Sequence, residues 1–308
     1  MERLGLGEKG SYILILALAL TLVGSSPGRA EDVKAKETQG VQPGEAKPEE
    51  IKEIKPEEVK EVQLPEKPQW TLGTDILTQY VFRGIALSRG SAVLQPSFTG
   101  SYKGFTFNAW FNFDTSEKNP FSIKRPNSHQ FRWNETDLTF SYSREVVKNL
   151  TLTGGLIYYI LDGANSPFDQ LEVYAGFGYK LPWFEVGFAA FREVGHFPGT
   201  YLQWYVSRSL DLPLWGASLD LWASWGAEIS NDKAAFPIPG KPNQFYQSLH
   251  AGHIMATLNF PLGKYVKISP KVMYWYALGG DATKVIAGAS WDGKHNHVLG
   301  GATISVTF

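Results

Sequence analysis

The 308-residue chain has no cysteine, which excludes a disulfide scaffold, an iron–sulfur protein, a cysteine-ligated zinc site and a thiol enzyme. It has almost no net charge, −1 overall, which argues against a nucleic-acid binder held by electrostatics. It also lacks any apolar run approaching the about 20 residues a membrane helix needs, so a membrane role has to come from strands. Methionine is scarce, at 3 residues. Against these absences stand 31 Gly, 10 Trp, 14 Tyr and 19 Phe, a composition unlike that of a helical protein.

Charge and aromatic residues are unevenly placed along the chain. Residues 1–30 open with a short charged stretch, continue into an apolar run over 13–23 and close on Gly28-Arg29-Ala30. Small residues at −3 and −1 after a run too short to span a bilayer predict a secretory signal peptide, cut after Ala30. Residues 31–68 hold 7 Lys against 11 acids and no aromatic side chain. Within them the octet Lys47-Pro48-Glu49-Glu50-Ile51-Lys52-Glu53-Ile54 is followed by a second copy, Lys55-Pro56-Glu57-Glu58-Val59-Lys60-Glu61-Val62. A proline every eight residues prevents a long helix, and so few apolar groups cannot offset the entropy of ordering. The expectation is a disordered Lys/Glu/Pro-rich tether, placed in the periplasm and available for cell-wall contact.

From Trp70 onward the side chains alternate between apolar and polar. Trp70, Leu72, Thr74, Ile76, Thr78, Tyr80 and Phe82 share one face, with Asp75, Gln79 and Arg83 on the other. Period two is the strand signature. Twelve such stretches are readable: 70–83, 93–102, 104–113, 135–144, 150–161, 170–179, 183–194, 200–210, 216–228, 246–260, 265–278 and 297–308. Their connections alternate between tight links, such as Lys103-Gly104 and Lys180-Leu181-Pro182, and longer ones, such as 114–134, 229–245 and 279–296. Short turns on one side and long loops on the other are the habit of outer-membrane barrels. Residues 69–308 are therefore expected to form an all-β, transmembrane, antiparallel up-and-down barrel of about 12 strands, with outer-membrane lipid and lipopolysaccharide as its surroundings.

The position of the charges separates a membrane barrel from a soluble one. The more apolar face carries only Arg144, Arg192 and Arg208, each near a strand end. The opposite face carries Asp75, Arg83, Glu135, Asp137, Glu172, Glu185, Glu193, Asp220, Glu228, Lys267 and Lys271. A charge facing mid-bilayer lipid costs about 2–4 kcal/mol for Lys or Arg, whereas a lumen tolerates it. A soluble barrel has the reverse design. These eleven residues are the expected lumen charges, and their eight acids against three bases predict a preference for cations if the lumen conducts. Pro96 and Pro270 fall inside strands and are expected at bulges or near the membrane boundary, because a closed barrel has no free edge.

Thr303-Ile304-Ser305-Val306-Thr307-Phe308 alternates and ends the printed sequence on phenylalanine. It resembles the C-terminal targeting strand of bacterial outer-membrane proteins, which implies the barrel assembly machinery as a partner and Phe308 as an assembly signal. Thr78-Gln79-Tyr80-Val81-Phe82-Arg83-Gly84-Ile85, followed by Ser88 and Gln95, resembles the opening of the Gcw_chp family. That resemblance covers about 18 residues and implies a bacterial outer-membrane barrel, porin-like at most, with no catalytic residues to carry over. The charged tether departs from the family pattern.

Outer-membrane lipid hydrolases also use barrels of this size, and they need a nucleophile beside an imidazole. In Ser248-Leu249-His250-Ala251-Gly252-His253 the first serine and histidine share a face of a strand and His253 points away, so no local cluster forms. His196, His295 and His297 fall in or beside loops and make no metal site. Neither an enzyme nor a cofactor is expected. Two readings stay open: a channel for small solutes, and a closed structural or adhesive barrel. Lumen-face Trp110, Tyr159, Tyr174, Trp222 and Trp275 have the bulk to narrow or block a pathway.

Overall fold

The computed structural model describes residues 67–308 apart from 164, 165 and 167, so the expected signal peptide and nearly all of the tether lie outside the described residues. The described chain forms β1 (Gln69–Leu77), β2 (Val81–Phe82), β3 (Ile85–Ala86), β4 (Val93–Tyr102), β5 (Phe105–Asp114), β6 (Arg132–Val147) and β7 (Leu150–Leu161). It continues with β8 (Gln170–Lys180), β9 (Glu185–Glu193), β10 (Gly199–Asp211), β11 (Ser218–Ser230), β12 (Gln247–Leu262), β13 (Val266–Ala277), helix α1 (Gly280–Ala289) and β14 (His297–Thr307). Every strand except β2 and β3 belongs to one closed antiparallel barrel. Its order follows the sequence, and β14 closes on β1. Trp70 and Phe308 exchange two backbone hydrogen bonds of 3.0 Å across that seam, which brings both chain ends of the barrel to the short-turn rim.

The alternation behaves as period two requires. Phe107, Phe140, Leu156, Val173, Phe177 and Trp204 project outward and remain exposed, forming an apolar belt around the strands. No water-soluble monomer leaves such a surface bare, and a bilayer covers it at no cost. The fold is a transmembrane β-barrel. Leu156 lies near the middle of β7 with 40% of its surface open. Leu156→Arg is expected to destabilise the barrel by about 2–4 kcal/mol, read as a lower urea midpoint in folded vesicle-bound protein. No change in midpoint would mean that this face does not meet lipid.

The two prolines interrupt hydrogen-bonding ladders without shifting register. Pairing of β4 with β5 lapses between Leu94 and Ser97 and resumes in the same register; pairing of β13 with β12 lapses between Ile268 and Lys271. The missing N–H groups of Pro96 and Pro270 thus fall in gaps rather than at bulges, one of the two placements expected for them.

Two segments depart from the sequence reading. The first strand was expected to run to residue 83, yet β1 ends at Leu77. Residues 78–92 turn inward, with β2 and β3 as a hairpin whose two turn residues, Arg83 and Gly84, have φ of 48° and 87°. Positive φ at both positions is the type I′ geometry that suits the twist of a hairpin. Gly84 is also required by space, since a Cβ there would lie 2.8 Å from the Ala251 side chain. The second departure is 279–296, expected as an open loop. It contains α1, whose Ala282, Val285 and Ile286 pack with Ile238, Tyr246 and Ala251 into an apolar cluster on the inner wall.

Candidate functional site: a lumen crossed by a hairpin

The inward hairpin reaches across the barrel. It leaves the wall at β1, and its tip meets β8, β9 and β10 on the far side. The Arg83 guanidinium donates to both oxygens of Glu172 in β8, Nη1 to Oε1 at 2.6 Å and Nη2 to Oε2 at 2.8 Å. Its Cζ lies 4.3 Å from the Tyr201 ring centre, 4.7 Å from Phe82 and 5.0 Å from Phe191. A planar fork on a carboxylate, faced by aromatic rings, is what a guanidinium offers and an ammonium does not. The Tyr159 hydroxyl donates to Glu172 Oε2 at 2.8 Å, so this acid is fully engaged. Gly226 permits the arrangement: a Cβ there would stand 2.0 Å from the Tyr201 hydroxyl, which lies flat over the glycine.

Further contacts fix the rest of the segment. The Tyr80 hydroxyl lies against Glu135 and Asp137 of β6, and its ring packs on Trp110 at 5.5 Å. Ser88 accepts from the Tyr80 backbone at 2.8 Å, and Ser290 Oγ, just past α1, accepts from the Ala86 backbone at 3.1 Å. Gln79 donates to Asp292, which also accepts from the Lys294 backbone and His297. Burial opposes ionisation of Asp292, but these three donors outweigh it and hold its carboxyl below the ordinary carboxylate range.

All eleven charges read from the sequence face the interior, and they divide by depth. Toward the short-turn half lie Asp75, Glu185, Asp220, Lys267 and Lys271, which retain solvent exposure. Lys271 pairs with Asp75 at 2.9 Å, Tyr205 donates to Glu185 at 2.8 Å, and Asp220 accepts from Ser209 and Asn259. Toward the long-loop half, Glu135, Glu172, Glu193 and Glu228 are buried around the hairpin, with Asp137 beside Glu135. Arg83 belongs to the hairpin tip rather than to the wall, correcting its expected place on the first strand. The aromatic residues expected inside are there. Trp222 stacks on Tyr205 at 4.4 Å, Trp275 on His253 at 4.0 Å, Tyr174 on Phe191 at 5.3 Å, and Tyr159 meets Phe82 edge-on.

The histidine reading needs correction. A bulge between Trp225 and Ala227 lets two residues of β12 oppose one of β11. That extra residue puts His250 and His253 on the same, inner side rather than on opposite faces. His250 Nδ1 shares a 2.9 Å hydrogen bond with the Tyr246 hydroxyl, and His253 lies flat on Trp275. Among the described residues no hydrogen bond joins Ser248 to either imidazole.

Above the hairpin, toward the long loops, lies a cavity of about 420 Å³ walled by Tyr80, Arg83, Tyr201, Glu228 and Phe236, among others. The site is thus a more exposed short-turn half, a crossing hairpin and a vestibule, and the class defined is a transmembrane barrel crossed by an internal hairpin. No family model matches the chain and no curated protein matches it, so the likeness of residues 78–95 to Gcw_chp proteins rests on those residues. Among solved structures it is similar to the NanC porin, with 9% identity, a TM-score of 0.47, and coverage of 77% of this chain and 98% of that one. It is similar to the KdgM porin at 8% identity and TM-score 0.45, with the same shares covered. The COG4313 outer membrane channel from Pseudomonas putida F1 matches at 10% identity and TM-score 0.42, covering 83% of this chain and 100% of that one.

Proposed function

We propose that the protein is a porin-like channel of the bacterial outer membrane that passes small solutes, prefers cations, and is constricted by the hairpin at Arg83. The observation that carries this reading is the charge ledger of the lumen. Of eight inward acids, Glu172 and Asp75 are matched by Arg83 and Lys271 and Glu135 and Asp137 are hydrogen-bonded to each other, which still leaves Glu185, Glu193, Asp220 and Glu228 against Lys267. Low-dielectric walls focus such a field, and acidic linings favour cations. Screening acts over about 8 Å at physiological salt, comparable to the radius of a small lumen, so the bias survives there. Proteoliposomes should swell in iso-osmotic small cationic and neutral solutes. A second reading is favoured by the hairpin itself: a closed scaffold acting through its long loops. Swelling no faster than in protein-free liposomes would select it.

In this reading the short-turn rim faces the periplasm, where residues 31–68 have access to the cell wall, and lipopolysaccharide contacts the apolar belt. Phe308 serves the assembly machinery, since its backbone closes the seam with Trp70. Deleting Phe308 is expected to lower the outer-membrane level several-fold, while deleting 31–68 leaves most of it. Equal levels of the two variants in membrane fractions would remove the assembly role.

A further inference from the structure

Four carboxylates line the vestibule, and three of them are satisfied. Glu172 is held by Arg83 and Tyr159. Glu193 accepts three backbone N–H groups, from Gly195 at 2.8 Å, His196 at 3.1 Å and Phe197 at 2.7 Å. Glu135 has the Tyr80 hydroxyl against it. Glu228 differs: it is only 4% exposed, borders the cavity, and none of the hydrogen bonds among the described residues ends on it. Arg83 acts on it through space, but the two side-chain hydrogen bonds of that guanidinium go to Glu172. A carboxylate at a cavity wall without a donor from the chain is open to accept one from a group held in the cavity.

The surroundings specify that group. Tyr201 stands directly across the strand pair from Glu228 with its ring already under the Arg83 guanidinium, and Phe197 and Phe236 supply further aromatic wall to the cavity. Aromatic faces beside a carboxylate attract an organic cation. An inorganic cation such as calcium takes 6–8 oxygen ligands, which one free carboxylate in a largely apolar wall does not provide. An anion meets an excess of acids. The cavity volume lies in the range of small-molecule sites, about 300–1,000 Å³. We infer that the vestibule is a binding site for a small organic cation, a primary ammonium on an apolar or aromatic body, with Glu228 as its counter-ion and Phe197 and Phe236 as its aromatic walls. This names a solute class for the channel proposed above and depends on that reading for its role, not for its chemistry.

Calorimetric titration of the refolded barrel in non-ionic micelles, with 2-phenylethylammonium as probe and protein-free micelles as reference, tests it. The cation should bind saturably and at least about tenfold more tightly than its neutral isostere 2-phenylethanol, with no binding of 3-phenylpropionate. Glu228→Gln should weaken it by about tenfold or more. Phe236→Ala, placed in a loop outside the ladders, should weaken it several-fold and serves if the Gln variant fails to fold. Equal affinity for the ammonium and the alcohol, or a folded variant that binds like the parent, would overturn the site. Binding in micelles does not require conduction. A sealed barrel that binds the probe keeps this site and loses the channel, whereas a conducting barrel that ignores the probe does the reverse.

Discussion

Arg83→Ala is expected to raise single-channel conductance several-fold while leaving the barrel heat-modifiable. The substitution strips the fork from Glu172 and leaves that carboxylate buried without its cation, a loss of about 3–5 kcal/mol for pairs of this kind. It also removes a guanidinium from among three aromatic faces, where a desolvated cation contributes about 2 kcal/mol. Arg83 further adopts a left-handed backbone conformation that a bulky residue holds only under outside constraint. The hairpin would therefore leave the far wall. The barrel ladders do not involve residue 83, so the closed sheet persists. Arg83→Lys keeps the charge and loses the fork, and should fall between parent and alanine variant. Unchanged conductance in the alanine variant, with the barrel folded, would show that the hairpin is not the constriction.

The second large effect concerns selectivity. Glu135 and Asp137 lie beside Tyr80, where the crossing segment narrows the lumen, and neither has a cationic partner in an ion pair among the described residues. Glu135→Gln with Asp137→Asn should lower the cation-selective reversal potential, because it removes the negative charge that this hydrogen-bonded carboxyl pair holds beside the crossing segment. Glu185→Gln, in the wider and wetter half, should move it far less. Raising salt from 0.1 M to 1 M shortens the screening length from about 10 Å to about 3 Å and should shrink all these differences together. A double variant indistinguishable from the parent would place the selecting charges elsewhere, for instance on the long loops.

The barrel was legible because each strand carries its own evidence. Phe105, Phe107, Phe111 and Phe113 against Asn108 and Asn112 declare both the period and the lipid face, and β5 follows that stretch within a residue. The inward side of the other ten charges was legible by the same parity; the place of Arg83, on the hairpin, was not. What parity cannot carry is a break in it. Tyr80-Val81-Phe82 alternates well enough to extend the preceding strand on paper, and the Arg83-Gly84 step, a two-residue turn signal between apolar residues, was the cue that 78–92 folds back. The bulge in β12 left no mark in Ser248–His253, because it is set by what packs opposite, including the flat Tyr201 over Gly226. Helix α1 carries glycines at 280 and 288 and reads as loop from propensity; its order comes from burying Val285 and Ile286 on the inner wall. Which acids are spent on partners and which remain free is a property of the closed barrel alone.

The most direct test is the reversal potential of the refolded wild-type barrel in a planar bilayer under a KCl gradient. Discrete conductance steps, with a reversal potential of the sign set by potassium and declining as salt rises, are the predicted result. A bilayer that stays sealed at every voltage, or a potential of the sign set by chloride, would contradict a cation-preferring channel.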